Sequence, residues 1–175
     1  MKLSNETLSI LKNFASINSG IEFKTGNSIT TMSSGKTVLA KATIKDEFPQ
    51  AFCVYDLNQF LSVHSLNKDT ELDFDDKNII FKAGKQKIKY RKTEKSMIVT
   101  PPEKELNLPS VDVSFSLSEN DLNAILNTAK VLQSPNISVE SDGDKVYVVA
   151  SNVQDSSAHT NSLEVGDGNG QSFKM

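Results

Sequence analysis

Two stretches far apart in this chain carry the same pattern. Ser4-Asn5-Glu6-Thr7-Leu8-Ser9-Ile10-Leu11-Lys12-Asn13-Phe14-Ala15 returns as Ser118-Glu119-Asn120-Asp121-Leu122-Asn123-Ala124-Ile125-Leu126-Asn127-Thr128-Ala129. An offset of 114 residues aligns Leu8 with Leu122, Leu11 with Ile125 and Ala15 with Ala129. Each copy opens on a serine able to cap a helix and places acid in the first turn, where it offsets the helix dipole. Apolar residues at spacings of three and four predict an amphipathic helix in both. Short β-prone runs broken by Asn, Asp and Gly follow each. A helix-then-sheet unit used twice predicts an α+β fold of repeated helix-plus-antiparallel-sheet domains.

Along the chain the pattern predicts a helix over 5–17, ended by Gly20, then strands near 21–24, 29–32, 38–44 and 51–55. Gly26-Asn27 and Ser34-Gly35 read as hairpin separators. A second helix over 56–66 is capped by Asp56, with Phe60, Leu61 and His64 at helical spacing, and strands follow near 72–74, 79–82, 87–91 and 97–99. Pro101, Pro102 and Pro109 bound an extended linker. The second unit reads as a strand over 113–117, a helix over 119–133, strands near 137–141, 146–150 and 157–165, and a glycine-rich loop at 166–170. The expected organisation is therefore a domain over 1–100, a connector over 101–110 and a domain over 111–175. The last ends where the counterpart of the second helix is due, so an incomplete C-terminal domain is expected, either a degenerate half-domain or a truncated product.

Composition narrows what such a chain can do. Aromatic residues make up 7% with no Trp, which predicts an aliphatic core. A net charge of −3 excludes a protein that grips nucleic acid with its whole surface; any positive charge must be confined to one face. The lone Cys53 excludes an intrachain disulfide framework. The opening residues lack a signal-peptide pattern and no apolar run reaches membrane-spanning length, so the expectation is a protein neither secreted nor membrane-bound.

Opposite the apolar stripes, the first helix carries Asn5, Ser9, Lys12, Asn13 and Ser16, and the repeat helix Asn120, Asn123, Asn127 and Lys130. Such faces are ordinarily just solvated. Solvated faces, however, usually mix Glu with Lys four residues apart. Here one lysine per helix stands among amides and hydroxyls, a face that can touch phosphates without reading bases. Contact through so few cations is weak and salt-sensitive. It suits a protein held on DNA by topology rather than affinity.

Lys85, Lys87, Lys89 and Arg91 alternate onto one strand face, with Ile88 and Tyr90 on the other. The stripe reads either as a nucleic-acid contact, making the chain a β-rich single-stranded nucleic-acid-binding module, or as a lysine-protected sheet edge. Asp73, Asp75 and Asp76 lack the spacing and glycine of a calcium loop, so a turn is expected. His64 and His159 have no ligand pattern around them, so no metal or other cofactor is expected. Ser33-Ser34-Gly35-Lys36-Thr37 ends like a phosphate loop but lacks its first glycine and is flanked by a hairpin pattern. No nucleophile–base pair or carboxylate dyad is visible, and no enzymatic activity is expected.

Met1-Lys2-Leu3-Ser4, then Leu11 to Ile21, and Val54-Tyr55-Asp56-Leu57-Asn58-Gln59-Phe60-Leu61 resemble the sliding clamps of T-even-type bacteriophages. The second half agrees more loosely, through Asp121-Leu122, Leu132-Gln133, Asp155-Ser156, Ser162-Leu163 and Gly166-Asp167. The resemblance implies a homotrimeric ring around double-stranded DNA, helices lining the hole and sheets outside. It also implies a processivity factor for the phage DNA polymerase, an ATP-dependent clamp loader that opens it, and late-transcription factors as further partners. The setting would be the cytoplasm of an infected bacterial host. Lys2, Lys12 and Lys130 match inward basic positions of the family, and Asn13 shares that face. Asn127 stands where the family often has Arg, which lowers the expected potential in the hole. Tyr90 falls at an aromatic of the family's subunit contact. A partner peptide would dock beside the connector, making Ile98, Val99, Leu106 and Leu108 the candidate pocket residues.

Overall fold

The computed structural model describes residues 1–103 and 113–175. The chain forms two compact units, Met1–Glu105 and Leu106–Met175.

In the first unit, α1 (Asn5–Ile17) begins at Ser4, whose Oγ accepts from the Thr7 N–H at 3.2 Å. The buried stripe of α1 is Thr7, Leu11 and Phe14, with Leu8, Ile10 and Ala15 packed at its margins. The stripe is thus rotated from the predicted Leu8–Leu11–Ala15 line, because Phe14 offers far more apolar area than Ala15. Strands β1 (Ile21–Phe23), β2 (Gly26–Met32), β3 (Leu39–Phe48) and β4 (Phe52–Val54) form an antiparallel sheet of order β3-β2-β1-β4. Asp56 caps α2 (Leu57–Ser65) by accepting from the Gln59 N–H at 2.9 Å. A second sheet has the order β5-β6-β7, from β5 (Glu71–Phe74), β6 (Asn78–Ala83) and β7 (Gln86–Arg91). The two sheets touch where Thr93, just past β7, donates its N–H to the Cys53 carbonyl of β4 at 3.0 Å.

The second unit repeats the first in miniature. Helix α3 (Glu119–Leu132) is capped by Ser118, whose Oγ accepts from the Asp121 N–H at 3.1 Å. Then β8 (Asn136–Asp142), β9 (Lys145–Ser151), β10 (Asn161–Asp167) and β11 (Ser172–Lys174) make an antiparallel sheet of order β10-β9-β8-β11. That is the order of the first sheet, strand for strand. Among the described residues this unit has no counterpart of α2 or of the β5-β6-β7 sheet. Its buried cluster is correspondingly small: Ile125, Ala129, Val148 and Ala150, flanked by Leu163 and Val165.

Several expectations are corrected. The core of the first unit is aromatic rather than aliphatic. Phe23 lies 4.6 Å from Phe48 and 4.7 Å from Phe52 by ring centroids, and Phe60 lies 5.1 Å from Phe81. A low average aromatic content concealed clustering, since seven of the nine phenylalanines fall before residue 82. The helix ends at Asn18, in extended backbone, and not at a left-handed Gly20. Residues 97–99 are not a strand: a single 3-10 turn covers Lys95–Met97. Residues 113–117 form no strand, and β10 starts at Asn161 because Asp155 folds 155–158 into a turn through the Ser157 N–H and hydroxyl. Gly166 and Asp167 belong to β10, admitted by an irregularity after Glu164. The short β11 was not foreseen. Its three residues carry little strand signal of their own, and pairing with β8 makes them a strand. No described helix is long and apolar enough to cross a membrane.

His64 is buried on α2, and its Nε2 has no hydrogen-bond partner. Burial pushes its imidazole below the ordinary value of 6.5. The unfolded chain therefore takes up a proton that the folded chain refuses. Stability is full above 6.5 and declines as the pH falls through that value, until the folded imidazole itself protonates. Thermal unfolding followed from about pH 7.5 to about pH 5 is expected to show this decline. In His64→Leu the part of the slope beginning at 6.5 should vanish.

Candidate nucleic-acid interface

The exposed face of α1 holds Asn5, Ser9, Lys12, Asn13 and Ser16, as the periodicity predicts. Lys12 makes no ion pair among the described residues. Ser16 turns its hydroxyl back to the Asn13 carbonyl at 2.6 Å, so that hydroxyl serves the last turn of the helix. Lys2, on the extended segment before α1, lies 3.5 Å from Asp69, with both side chains largely in solvent. At that distance and exposure the pair contributes little and leaves the ammonium available.

On α3, Asn120, Asn123, Asn127 and Lys130 are likewise exposed, and Lys130 has no ion-pair partner among the described residues. The two helices nevertheless differ. Leu122, expected in the buried stripe, is 43% exposed, and Leu126, the repeat position of Lys12, is 47% exposed. For Leu122 the reason is architectural: in the first unit α2 packs against α1, and the described part of the second unit has no such helix; Leu126 falls on the face that is exposed in α1 as well. Spacing alone could not reveal this, because the stripe was drawn from one helix without its neighbours.

The strand stripe is present in part: Lys85 stands in the turn before β7, which begins at Gln86. Lys87, Lys89 and Arg91 of β7 are exposed, while Ile88 and Tyr90 turn toward the core. None of the three cations has an ion-pair partner among the described residues. The ring of Tyr90 sits 5.9 Å from Phe60 and 6.1 Å from Phe81, and its hydroxyl donates to the Asp56 carbonyl at 3.0 Å. Burial, then the nearby Asp56 charge, pushes the phenol above its ordinary range. Tyr90 thus supports β7 from inside. Ile98 and Val99 are half-buried in the segment after the 3-10 turn. Leu106 and Leu108 lie outside the described residues.

Asp75 is a turn residue: its carboxylate accepts from the Lys77 and Asn78 N–H groups at 2.9 and 2.6 Å. Ser33–Thr37 is the β2–β3 hairpin, where Ser33 Oγ accepts from the Thr37 and Val38 N–H groups at 3.1 and 3.0 Å. Among the described residues no three His, Cys, Asp or Glu side chains gather as a metal site.

Residues 3–100 match the family described as DNA polymerase processivity factor. The chain belongs to that family. It is 33% identical over 173 residues to the sliding clamp of Vibrio phage KVP40, covering 95% of this chain and 78% of that protein. It is 37% identical over 159 residues to the sliding clamp of Escherichia phage RB69, covering 89% and 69% respectively. To that of Enterobacteria phage T4 it is 34% identical over 176 residues, covering 98% and 77%. Among solved structures it resembles the DNA polymerase sliding clamp of Pseudomonas aeruginosa with a TM-score of 0.62 at 14% identity. The match takes in 95% of this chain and 49% of that one, so the chain spans about half of that clamp's length. Thermococcus kodakaraensis PCNA gives a TM-score of 0.55 at 14% identity, over 94% of this chain and 71% of that one. The fold of this processivity-factor chain is the DNA clamp fold, α+β with repeated helix-plus-antiparallel-sheet units.

The Tyr90 side chain does two separable things for β7. Tyr90→Phe removes only the bond to the Asp56 carbonyl and should cost about 1 kcal/mol. Tyr90→Ala also removes a half-buried ring and should cost about 3 kcal/mol, the low end for aromatic truncation. Urea unfolding of the two variants checks the order and the gap.

Proposed function

We propose that this chain is a sliding clamp that encircles duplex DNA without regard to sequence and tethers the replicative polymerase of a phage, giving it processivity. The observation that carries this reading is the repeated unit. Two sheets of identical strand order each carry a helix whose exposed face includes amides, hydroxyls and a single lysine with no ion-pair partner among the described residues. Lys2, Lys12, Asn13, Asn127 and Lys130 are the residues assigned to DNA. Few cations release few counterions, so the contact is weak and lets the protein slide. The role needs no catalytic group, and retention comes from closure of the ring.

Closure of a homotrimer requires head-to-tail contacts between two different surfaces of each subunit. Among the described residues β7 pairs with β6 alone and β10 with β9 alone, so each has a backbone edge that no other described strand covers. Beside the β7 edge stand Lys87, Lys89 and Arg91; beside the β10 edge stand Glu164 and Asp167. Glu164 and Asp167 already hold Lys145 at 3.0 and 2.8 Å, leaving one net negative charge there. This complementarity supports β7 as one side of the subunit contact, with Tyr90 bracing it. The inward turn of Tyr90 also leaves the basic stripe without a stacking platform, which favours the clamp over a single-strand binder. An ATP-driven loader, late-transcription factors and work in the cytoplasm of an infected bacterium complete the proposed setting.

The test is topological. Loaded on nicked circular DNA the protein should be retained, and linearising the circle should release it. Lys12→Glu combined with Lys130→Glu should weaken loading and retention at least tenfold at moderate salt while leaving the unfolding transition in place, since both sites are exposed. Retention that ignores DNA ends, or a double variant that supports processive synthesis like the parent, would overturn the assignment.

A further inference from the structure

The edge strand β10 carries its charges in an arrangement that a regular strand would not give. Glu164 and Asp167 are three residues apart, a spacing that puts side chains on opposite faces of a strand. Here the register shifts between Glu164 and Gly166, so that Glu164 stands opposite Tyr147 and Asp167 opposite Lys145. Tyr147 and Lys145 are two positions apart on β9 and share a face, and so therefore do the two acids. The acids are then spaced like alternate residues of a strand, about 6.8 Å along it. Lys87, Lys89 and Arg91 repeat at the same interval on one face of β7. A β10 edge laid beside the β7 edge of a second copy can thus set both acids against two successive cations.

Lys145 already occupies that place. Its Nζ lies 3.0 Å from a carboxylate oxygen of Glu164 and 2.8 Å from one of Asp167, both across the β9–β10 ladder. Among the described residues no other cation pairs with these acids, and Lys174, further along the same sheet, is committed to Glu140 at 2.7 Å. Holding β10 on β9 does not require the lysine, since six residue pairs of the ladder already do so. All three charged side chains are exposed, so the two ion pairs are weak and easily exchanged.

We propose that Lys145 is an internal competitor for the acids of the β10 edge: its ammonium stands where a β7 cation of a second copy would dock, and it thereby weakens the contact between subunits. The proposal rests on the reading of β7 and β10 as the two sides of that contact. With Lys145 in place the edge presents one net negative charge; without its ammonium it presents two. Charge of this kind acts on encounter between subunits and on the salt dependence of their association. A contact moderated in this way suits a ring that has to open as well as close.

The experiment follows the association of the whole chain by sedimentation over a range of concentrations. It is run at low salt and again at about 1 M salt, where the screening length falls to about 3 Å. Lys145→Met keeps most of the side-chain stem and removes the charge. Its association should be at least threefold tighter than the parent's at low salt, and the gain should vanish at high salt. Glu164→Gln combined with Asp167→Asn should weaken association at least threefold. Adding Lys145→Met to that pair should change nothing further, because the lysine then has no acid to release. If Lys145→Met does not fold, Lys145→Gln carries the test. Association left unchanged by the loss of the lysine would overturn the competitor role. So would weaker association, the result for a lysine that merely fastens β10 to β9. A parent that stays monomeric at every concentration, or acid-to-amide changes without effect on association, would instead overturn the β7–β10 contact itself.

Discussion

The first unit is organised around Phe23. It is fully buried at the end of the three-residue strand β1, and its ring meets Phe48 of β3, Phe52 of β4 and Phe60 of α2. One side chain thus connects β3 and β4, which lie at the two edges of the sheet, with the second helix. From Phe60 the contacts pass to Phe81 and Tyr90, and so to the second sheet. Aromatic pairs of this kind add about 0.5–1.5 kcal/mol each beyond the area they bury. The chain of rings lets short strands, marginal when isolated, act as one cooperative body. It also explains why β7, an edge strand with three solvated cations, holds its place: Ile88 and Tyr90 fasten it from below.

The second unit shows the same topology with less to hold it. Its cluster contains no aromatic residue, and β11, its counterpart of β4, presents Phe173 half-exposed where β4 buries Phe52. The two helices diverge accordingly. On α1, against which α2 packs, Leu8 is half-buried, whereas on α3 its counterpart Leu122 is left in solvent. Where α1 offers Lys12, α3 offers a leucine and carries its lysine four residues further on, as Lys130, so the positive charge assigned to DNA is unevenly placed in the two repeats. A weak and uneven electrostatic face is tolerable for a protein kept on its track by a closed ring. It would fail in a binder that depended on affinity.

The repeat was legible because capping and helical periodicity are local properties. Ser4, Asp56 and Ser118 mark the helix starts by hydrogen bonds to residues three positions on, which a sequence displays directly. The alternation of β7 was legible for the same reason: a strand's side chains change face at every residue whatever lies beyond. The family likeness, too, rests on contiguous stretches near the N-terminus and around Asp56. What failed had a partner elsewhere. Residues 97–99 have strand-like composition but found no ladder, and 172–174 have little strand signal but found β8. Gly20 looked like a helix terminator; its lack of a side chain serves instead to admit Ile98, which only the tertiary structure brings there.

The sequence by itself determined where the three helices start and the alternation of the basic strand, because each depends on interactions within a few residues. Tertiary structure decided which strands became neighbours, that the core of the first unit is a run of phenylalanines, and that Asn18 spends its side chain on Met32 and Val99. Those outcomes turn on contacts between residues tens of positions apart. Their closure entropy is repaid only when many such contacts form together, and no window of local sequence reports that sum.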